Sequence, residues 1–324
     1  MKLLPGSILR IESREFEVLQ QLSLLGRGRW KVRDPHPRPR GTICTAIVID
    51  DTPAARQLER ALWRLPMHVN GIPHLIVCGC QADKKVWVVT WQEGTDVERY
   101  LQKVHEGLWE RPSVFEAVRR CKSLAHSLKH LDQYCRIVHG DIKPANLVLP
   151  SNPGSMAIID FGSSWQIERT STRLIGDGMQ AAYSAPELLM SQATGDSRAD
   201  QFSAAVVLYE MLTMQLPYSG LGGQAGLPIN REDVEGTYQP PSQLVSDKDR
   251  IPKSILTELD RVLFTALQLD ADRRFATPKA FCVAMDSLWH HLQGAQDSIS
   301  RKPSAQENEP GKVVRWISQL LGGD

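Results

Sequence analysis

One polar segment of the sequence reads His139-Gly140-Asp141-Ile142-Lys143-Pro144-Ala145-Asn146, and Asp160-Phe161-Gly162 follows it. It gathers carboxylates, an amide and an ammonium into a short length of chain. Residues 147–149 and 156–159 are apolar and flank a Ser-Asn-Pro-Gly turn, a pattern that predicts a hairpin of two short strands with Asp160 at its exit. Such a hairpin would bring the polar groups of both segments together.

Length and composition limit the possible classes of protein. A chain of 324 residues can form one large or two modest domains with substantial cores. With 38 basic and 37 acidic residues the net charge is +1, so electrostatics gives no reason to expect nucleic acid as the main ligand. No apolar run of about 18 residues occurs, so we expect no transmembrane segment. The six cysteines form no CxxC pair and predict reduced thiols in a cytoplasmic protein.

The two halves of the chain carry different hydrophobic periods. Up to Trp91, short β-type runs alternate with turns around one helix at residues 54–65; beyond Gly94, long amphipathic helices predominate. In the helix at 200–213, apolar residues recur every three or four positions and predict one buried stripe: Phe202, Val206, Tyr209 and Leu212. We therefore expect an α+β, two-lobed fold, with a small antiparallel sheet in residues 1–93 and a mainly helical lobe in residues 94–292.

The polar groups of the central loop suit phosphoryl transfer. That reaction needs a carboxylate to orient the attacking hydroxyl, oxygen ligands for magnesium, and cations on the phosphates. Asp141 would accept the hydrogen bond of the hydroxyl, and Lys143 would reach the transferring phosphate. Asn146 and Asp160 would hold Mg²⁺, because this hard cation prefers oxygen donors.

At these residues the chain resembles the protein kinase family, whose catalytic loop reads H-R-D-x-K-P-x-N and whose metal-binding loop reads D-F-G. Ala185-Pro186-Glu187 resembles the end of the family's activation segment, and Asp200 resembles the aspartate that supports the catalytic loop. Arg274 resembles the arginine that pairs with that glutamate. The resemblance covers roughly residues 8–291 and implies a serine/threonine protein kinase that binds ATP and Mg²⁺ between its lobes.

The first lobe departs from the family pattern. The third strand of the family carries a phosphate-binding lysine in V-A-I-K, and the nearest match here is Thr45-Ala46-Ile47-Val48, where Val48 cannot serve. Residues 26–31 read Gly-Arg-Gly-Arg-Trp-Lys, which resembles the loop of with-no-lysine kinases, where Lys31 would be the relocated cation. Gly26 and Gly28 would allow close backbone approach to phosphate. The alternative is that Lys31 is a solvent-facing strand lysine.

The remaining ATP-binding residues follow from the same resemblance. Glu59, on the predicted helix of the first lobe, would hold the phosphate-binding lysine. The hinge would run through residues 90–94, with Val89 at the back of the adenine pocket and Trp91 in the hinge.

Gly140 occupies the arginine position of H-R-D, which leaves other functions open. H-G-D also occurs in aminoglycoside and choline kinase relatives, so a small-molecule phosphotransferase is the main alternative; a catalytically silent scaffold is another. Without the arginine, we expect activity that does not depend on phosphorylation of Thr170, Ser171 or Thr172.

The last part of the chain, residues 293–324, is predicted to be a polar linker followed by a short amphipathic helix. Apolar residues between Val313 and Leu321 recur at helical spacing. This helix could dock on the kinase lobes or bind a partner. The protein substrate is not identified by the sequence.

Overall fold

A computed structural model describes residues 3–22, 28–36, 41–81, 83–167, 180–190, 195–230, 234 and 236–300. The first lobe is built on a six-stranded antiparallel sheet with the order β1-β2-β3-β4-β6-β5. Its strands are β1 (Ile8–Ile11), β2 (Arg14–Gln21), β3 (Gly28–Asp34), β4 (Thr42–Asp50), β5 (Leu75–Gln81) and β6 (Lys84–Thr90). Helix α1 (Pro53–Leu62) connects β4 to β5.

The second lobe is mainly helical. Its helices are α2 (Val97–His105), α3 (Val114–His130), α4 (Pro186–Leu189), α5 (Ser197–Thr213), α6 (Pro241–Leu244), α7 (Lys253–Ala266) and α8 (Pro278–Ser300). Short strands β7 (Thr95–Asp96), β8 (Ile137–Val138), β9 (Leu147–Leu149), β10 (Ala157–Ile158) and β11 (Trp165–Gln166) lie between them. Strands β9 and β10 form the predicted hairpin, and β8 pairs with β11. The predicted two-lobed α+β fold is confirmed.

Strand alternation gives the sheet two different faces. In β3, the buried side chains Trp30 and Val32 point to one face, where they pack with Leu9 and other residues of β1 and β2. The opposite face carries Ile47 and Trp87, which belong to the same apolar cluster as the buried side of α1. Successive residues of a strand alternate between its two faces. Arg29, Lys31 and Arg33 therefore lie on the face toward α1 and the second lobe.

Helix α1 begins where the sequence supplies a cap and a proline. The Thr52 hydroxyl accepts a hydrogen bond from the Ala55 amide at 3.1 Å, and Pro53 occupies the first turn, where a missing N–H costs little. These signals fix the start of α1 and therefore the position of Glu59 along it.

Helix α5 differs from its prediction. The spacing predicts one buried stripe, but Ala204, Ala205 and Val207 are buried as completely as Phe202 and Val206. The helix runs through the middle of the lobe and contacts α3, α7 and α8. A helix surrounded in this way is buried on all sides, so the prediction of a single buried stripe was wrong.

Helix α8 also differs from its prediction, because it continues to Ser300. The predicted linker from residue 293 therefore overlaps this helix. Leu288 and Leu292 are buried, and Ala295 packs against the same core, so the helical period extends past residue 292. The predicted tail helix between Val313 and Leu321 lies outside the described residues. Within the described ranges, no helix is both long and apolar enough to cross a membrane.

Candidate active site

The polar loop at residues 139–146 lies between β8 and β9, and its side chains converge. The Lys143 ammonium is 3.0 Å from the Asp141 carboxylate, and each of these side chains is 13% exposed. The Asn146 amide nitrogen donates to both the backbone oxygen and the carboxylate of Asp141, at 2.9 and 2.8 Å. Asp141 is therefore held in one orientation while part of its carboxylate faces the cleft.

Asp160 follows the hairpin and lies beside this loop. The Ile159 amide donates to the Asn146 carbonyl at 2.9 Å, which ties the two segments together. Asp160 itself has a positive φ of 65°, and its carboxylate accepts a hydrogen bond from the Gly162 amide at 3.1 Å. The carboxylate of Asp160 and the amide oxygen of Asn146 are both oxygen ligands of the kind that a hard divalent cation prefers.

The His139 side chain connects the polar loop to Ile159. Its Nδ1 accepts from the Asp141 amide at 3.4 Å, so Nε2 carries the proton and donates to the Ile159 carbonyl at 3.2 Å. The ring also packs edge-on against Phe161, with centroids 5.0 Å apart. The histidine is fully buried and acts on the geometry of its neighbours.

Asp200 supports the loop from α5, as the resemblance predicts. Its two carboxylate oxygens accept from the His139 and Gly140 amides at 2.7 and 2.8 Å. The side chain is buried, and hydrogen bonds to an ionised acceptor are among the stronger ones in proteins. These bonds hold the chain immediately before Asp141.

Trp165 occupies the space beside Gly140. A Cβ atom at Gly140 would lie 2.2 Å from the indole ring, and Gly140 has a positive φ of 73°. The indole nitrogen donates to the Gly195 carbonyl at 3.2 Å, just before α5. Strand β11, the polar loop and the start of α5 are thus joined by one aromatic side chain. Only glycine fits at position 140 with this packing.

The predicted pair of Glu187 and Arg274 is present. Two guanidinium nitrogens of Arg274 contact the two carboxylate oxygens at 2.7 and 2.8 Å, and the arginine side chain is completely buried. The guanidinium also donates to the carbonyls of Gln268 and Leu269 and lies 4.8 Å from the Phe202 ring centroid. This pair connects α4 to the segment between α7 and α8.

A second buried contact holds the segment before α4. The Tyr183 hydroxyl donates to the Glu210 carboxylate at 2.7 Å. Burial raises the pKa of Glu210 above its ordinary value, while the hydrogen bond from Tyr183 lowers it by less. Glu210 therefore couples α5 to the residues that precede Ala185-Pro186-Glu187.

In the first lobe, Glu59 has two partners from β6. The Lys85 ammonium is 2.9 Å from its carboxylate, and the Trp87 indole nitrogen donates to the same oxygen at 2.9 Å. Burial lowers the pKa of Lys85, but the hydrogen bond and the charge of Glu59 outweigh this, so the net shift is upward.

Val48, which alignment with V-A-I-K places at the lysine position, packs on the sheet face away from α1. Ile47 faces α1 instead.

Two cations of β3 face the cleft. The Arg29 guanidinium is 3.3 Å from the Asp160 carboxylate. The Lys31 ammonium lies 4.6 Å from the ring centroid of Trp91, in the predicted hinge. The structure therefore brings Lys31 to the hinge and Arg29 to Asp160, and the role of Lys31 at the phosphates stays a prediction.

The other predicted ATP-binding residues are distributed around this end of the cleft. Val89 is buried opposite Thr45 of β4, next to the hinge. A Cβ atom at Gly28 would lie 2.0 Å from the Trp30 ring, so packing within the sheet already requires this glycine. Gly26 lies outside the described residues.

Sequence reasoning missed Arg29, Lys85 and Trp165. The alternation of β3 carried a signal for Arg29, since the apolar Trp30 and Val32 imply that Arg29 and Lys31 share the other face. No comparable signal marks Lys85, because its contact with Glu59 joins a strand to a helix that precedes it in the chain.

Comparisons with known proteins identify the family of this chain. The family model described as the protein kinase domain matches residues 67–289. The dual specificity protein kinase shkE of Dictyostelium discoideum is 33% identical over 148 residues, which is 44% of this chain and 20% of the relative. The tyrosine-protein kinase MasK of Myxococcus xanthus is 33% identical over 172 residues, 50% of this chain and 24% of the relative.

The serine/threonine-protein kinase PknJ of Mycobacterium tuberculosis is 33% identical over 152 residues, 46% of this chain and 24% of the relative. These three matches span 20% to 24% of the length of the curated relatives. The crystal structure of the Mycobacterium tuberculosis PknI kinase domain has a TM-score of 0.58 at 22% identity, covering 89% of this chain and all of that one. This structural likeness concerns the fold.

Proposed function

This chain belongs to the protein kinase family, and from that premise we propose that it transfers the γ-phosphate of ATP to a serine or threonine hydroxyl of a protein. The observation that carries the proposal is the convergence of Asp141, Lys143 and Asn146 beside Asp160. Catalysis of phosphoryl transfer depends mainly on groups held in position in this way.

Asp141 accepts the hydrogen bond of the attacking hydroxyl and aims its oxygen at the phosphorus. Asn146 and Lys143 hold the Asp141 carboxylate, so little reorientation is needed when substrate binds. Lys143 lies within 3.0 Å of that carboxylate and offers positive charge where the transferring phosphate would meet the hydroxyl.

A protein kinase domain uses ATP with a divalent cation, and we propose Mg²⁺ held by Asn146 and Asp160. The donor set fits this ion, since both residues offer oxygen atoms. The Asn146 amide nitrogen already donates to Asp141, which leaves the amide oxygen for the cation. Magnesium at this position would neutralise charge on the phosphate oxygens.

Val89 and Trp91 are assigned to the adenine end of the cleft, and Gly26 and Gly28 to the phosphate side. Lys31, which the resemblance makes the relocated phosphate-binding cation, contacts Trp91 at the hinge. Val89 is buried next to the hinge, which supports an apolar contact with a base. Glu59 fixes α1 to β6 through its ion pair with Lys85.

Protein is favoured over a small molecule as the acceptor. The buried ion pair of Glu187 and Arg274 and the support from Asp200 belong to the part of the chain that resembles protein kinases, and the family model spans all of them. Lys143-Pro144 favours serine or threonine. The names of the relatives include serine/threonine, tyrosine and dual specificity kinases, so the acceptor preference rests on that dipeptide.

We further propose that activity does not require phosphorylation of the activation segment. Trp165 fills the space beside Gly140, and Gly140 stands in place of the arginine that would receive a phosphate of the activation segment. Thr170, Ser171 and Thr172 lie outside the described residues. Their simultaneous replacement by alanine should leave phosphorylation of a protein substrate unchanged, and an inactive variant would refute this.

The lobes are proposed to meet near residue 93, and the tail between Val313 and Leu321 to dock on the lobes or bind a partner. All six cysteines are free, which supports the proposed location in the cytoplasm.

Transfer from radiolabelled ATP tests the proposed function. The purified chain is incubated with Mg²⁺ and casein, and with choline or an aminoglycoside in parallel. We expect label on protein serine or threonine, and loss of the label in Asp141→Ala and Asp160→Ala. Label on the small molecules alone would favour the alternative phosphotransferase. If the chain shows no label transfer and no magnesium-dependent ATP binding, the result would favour a catalytically silent scaffold.

A further inference from the structure

Strand β4 provides no cation to the cleft, although the family places its phosphate-binding lysine on this strand. The residues of β4 that share a face with α1 include Thr45 and Ile47, while Val48 is packed on the other face. A different element must therefore supply positive charge on this side of the nucleotide.

Strand β3 carries Arg29, Lys31 and Arg33 on this face, and Arg29 and Lys31 reach the cleft. In the antiparallel register, Arg29 lies opposite Ile47 and Lys31 lies opposite Thr45. Arg29 thus projects from the cleft-facing side of the sheet beside Ile47, one residue before Val48, the position that the V-A-I-K alignment gives to the lysine. The arginine side chain is 24% exposed, so it is partly enclosed and still accessible to a ligand.

The two cations lie at different ends of the cleft. Lys31 stacks on Trp91 at the hinge, where Thr45 lies opposite Val89. Arg29 contacts Asp160, the carboxylate proposed to hold the metal on the phosphates. The phosphates of a nucleotide whose base lies at the hinge would extend toward Asp160 and therefore toward Arg29.

Lys85 is the third candidate, and its position is less suitable. It pairs with Ile49, two residues farther from the hinge than Ile47, and its ammonium contacts Glu59 at 2.9 Å. The Lys85 side chain is only 10% exposed. It fixes α1 to the sheet in this arrangement.

We propose that Arg29 is the residue that binds the phosphates of ATP, in place of a strand β4 lysine and in preference to Lys31. A guanidinium has five N–H donors in a rigid fork, so Arg29 can contact phosphate oxygens while it stays near Asp160. The contact with Asp160 orients the guanidinium toward the proposed metal and phosphate end of the cleft. This inference rests on the proposed function only in taking ATP as the nucleotide.

Calorimetric titration with MgATP and with adenosine separates phosphate contacts from base contacts. In Arg29→Met, MgATP affinity should fall about 10- to 100-fold, the range for one lost charge-assisted contact, while adenosine affinity stays within about twofold. Lys31→Met should change both affinities by a similar factor. Arg33→Met is the matched control, because Arg33 shares the strand and face but pairs with Glu17 away from the cleft; it should change neither affinity.

A selective loss of MgATP affinity in Lys31→Met or in Lys85→Met, with Arg29→Met unchanged, would overturn the proposal. So would a wild-type chain that binds MgATP no more tightly than adenosine. Phosphoryl transfer measured on the same samples separates the two claims. Arg29-dependent MgATP binding without any transfer would refute the proposed function alone. Transfer with an unchanged MgATP affinity in Arg29→Met would refute this inference alone.

Discussion

Replacing Gly140 with alanine should destabilise the fold by more than its backbone conformation explains. At a φ of 73°, an L-residue with a Cβ atom costs about 1–2 kcal/mol. The added Cβ would also lie 2.2, 2.9 and 3.1 Å from three atoms of the Trp165 ring. Forcing a methyl group into a packed site typically costs a further 1–3 kcal/mol, roughly. The free energy of unfolding should therefore fall by about 2–5 kcal/mol.

The chain contains a matched control for the backbone contribution. Gly107 has nearly the same φ, 71°, but a Cβ atom there would meet nothing within 4 Å. Gly107→Ala should cost only the conformational part, about 1–2 kcal/mol. Trp165→Leu removes the ring atoms that crowd Gly140, so Gly140→Ala should cost about 1–2 kcal/mol in that background.

Urea unfolding followed by circular dichroism gives these free energies by linear extrapolation. The predicted coupling between positions 140 and 165 is about 1–3 kcal/mol. Equal costs for Gly140→Ala and Gly107→Ala, or an unchanged cost in the Trp165→Leu background, would refute the packing argument.

Three further predictions concern buried polar groups. Glu187→Gln should lower the free energy of unfolding by about 3–5 kcal/mol, because it leaves the buried Arg274 charge uncompensated, whereas Asp272→Asn at an exposed ion pair should change it little; similar urea midpoints for both variants would contradict this. Asp200→Ala leaves two buried amides without their acceptor and should cost about 3 kcal/mol as well as slowing phosphoryl transfer, with Asp200→Asn intermediate; full activity in the alanine variant would count against it. Burial raises the pKa of Glu210 above 4.5, so the stabilisation from its protonated form is complete below that pH and is lost as pH rises through the folded-state value. Glu210→Gln should therefore gain stability relative to the wild type as pH rises from 4.5 through the folded-state pKa of Glu210, and a pH-independent difference in thermal unfolding would exclude this.

The helical lobe was the more predictable part of the molecule. Asp141, Asn146 and Asp160 lie close together in the chain, and one short hairpin between them is enough to bring them together. The pair of Glu187 and Arg274 was also predicted, although only through the family resemblance, because no local pattern links residues so far apart.

The first lobe was less predictable because its contacts depend on strand register. Whether Arg29 or Lys31 meets Asp160 is decided by the pairing of β3 with β4 and by the position of a residue in the other lobe. A shift of one residue reverses every side chain of a strand. The sequence indicated that a cation was missing from β4, and the register was needed to identify its replacement.

Helix burial was misjudged for a related reason. The period of α5 predicts one buried stripe because Phe202, Val206 and Leu212 are large, whereas the alanines of the helix give little signal for burial or exposure. Contacts with α3, α7 and α8 bury those alanines. Only the assembled lobe shows that α5 has no solvent-facing side.

Asp141 is proposed to act on the substrate hydroxyl in phosphoryl transfer from ATP. The most direct test of this role compares wild type and Asp141→Asn in MgATP affinity and in the rate of label transfer to casein. We predict that the affinity stays within about threefold, since Asp141 contacts Lys143 and Asn146 and is not proposed to bind the nucleotide, while the rate falls at least about 100-fold. Equal rates of transfer in the two proteins would contradict the account.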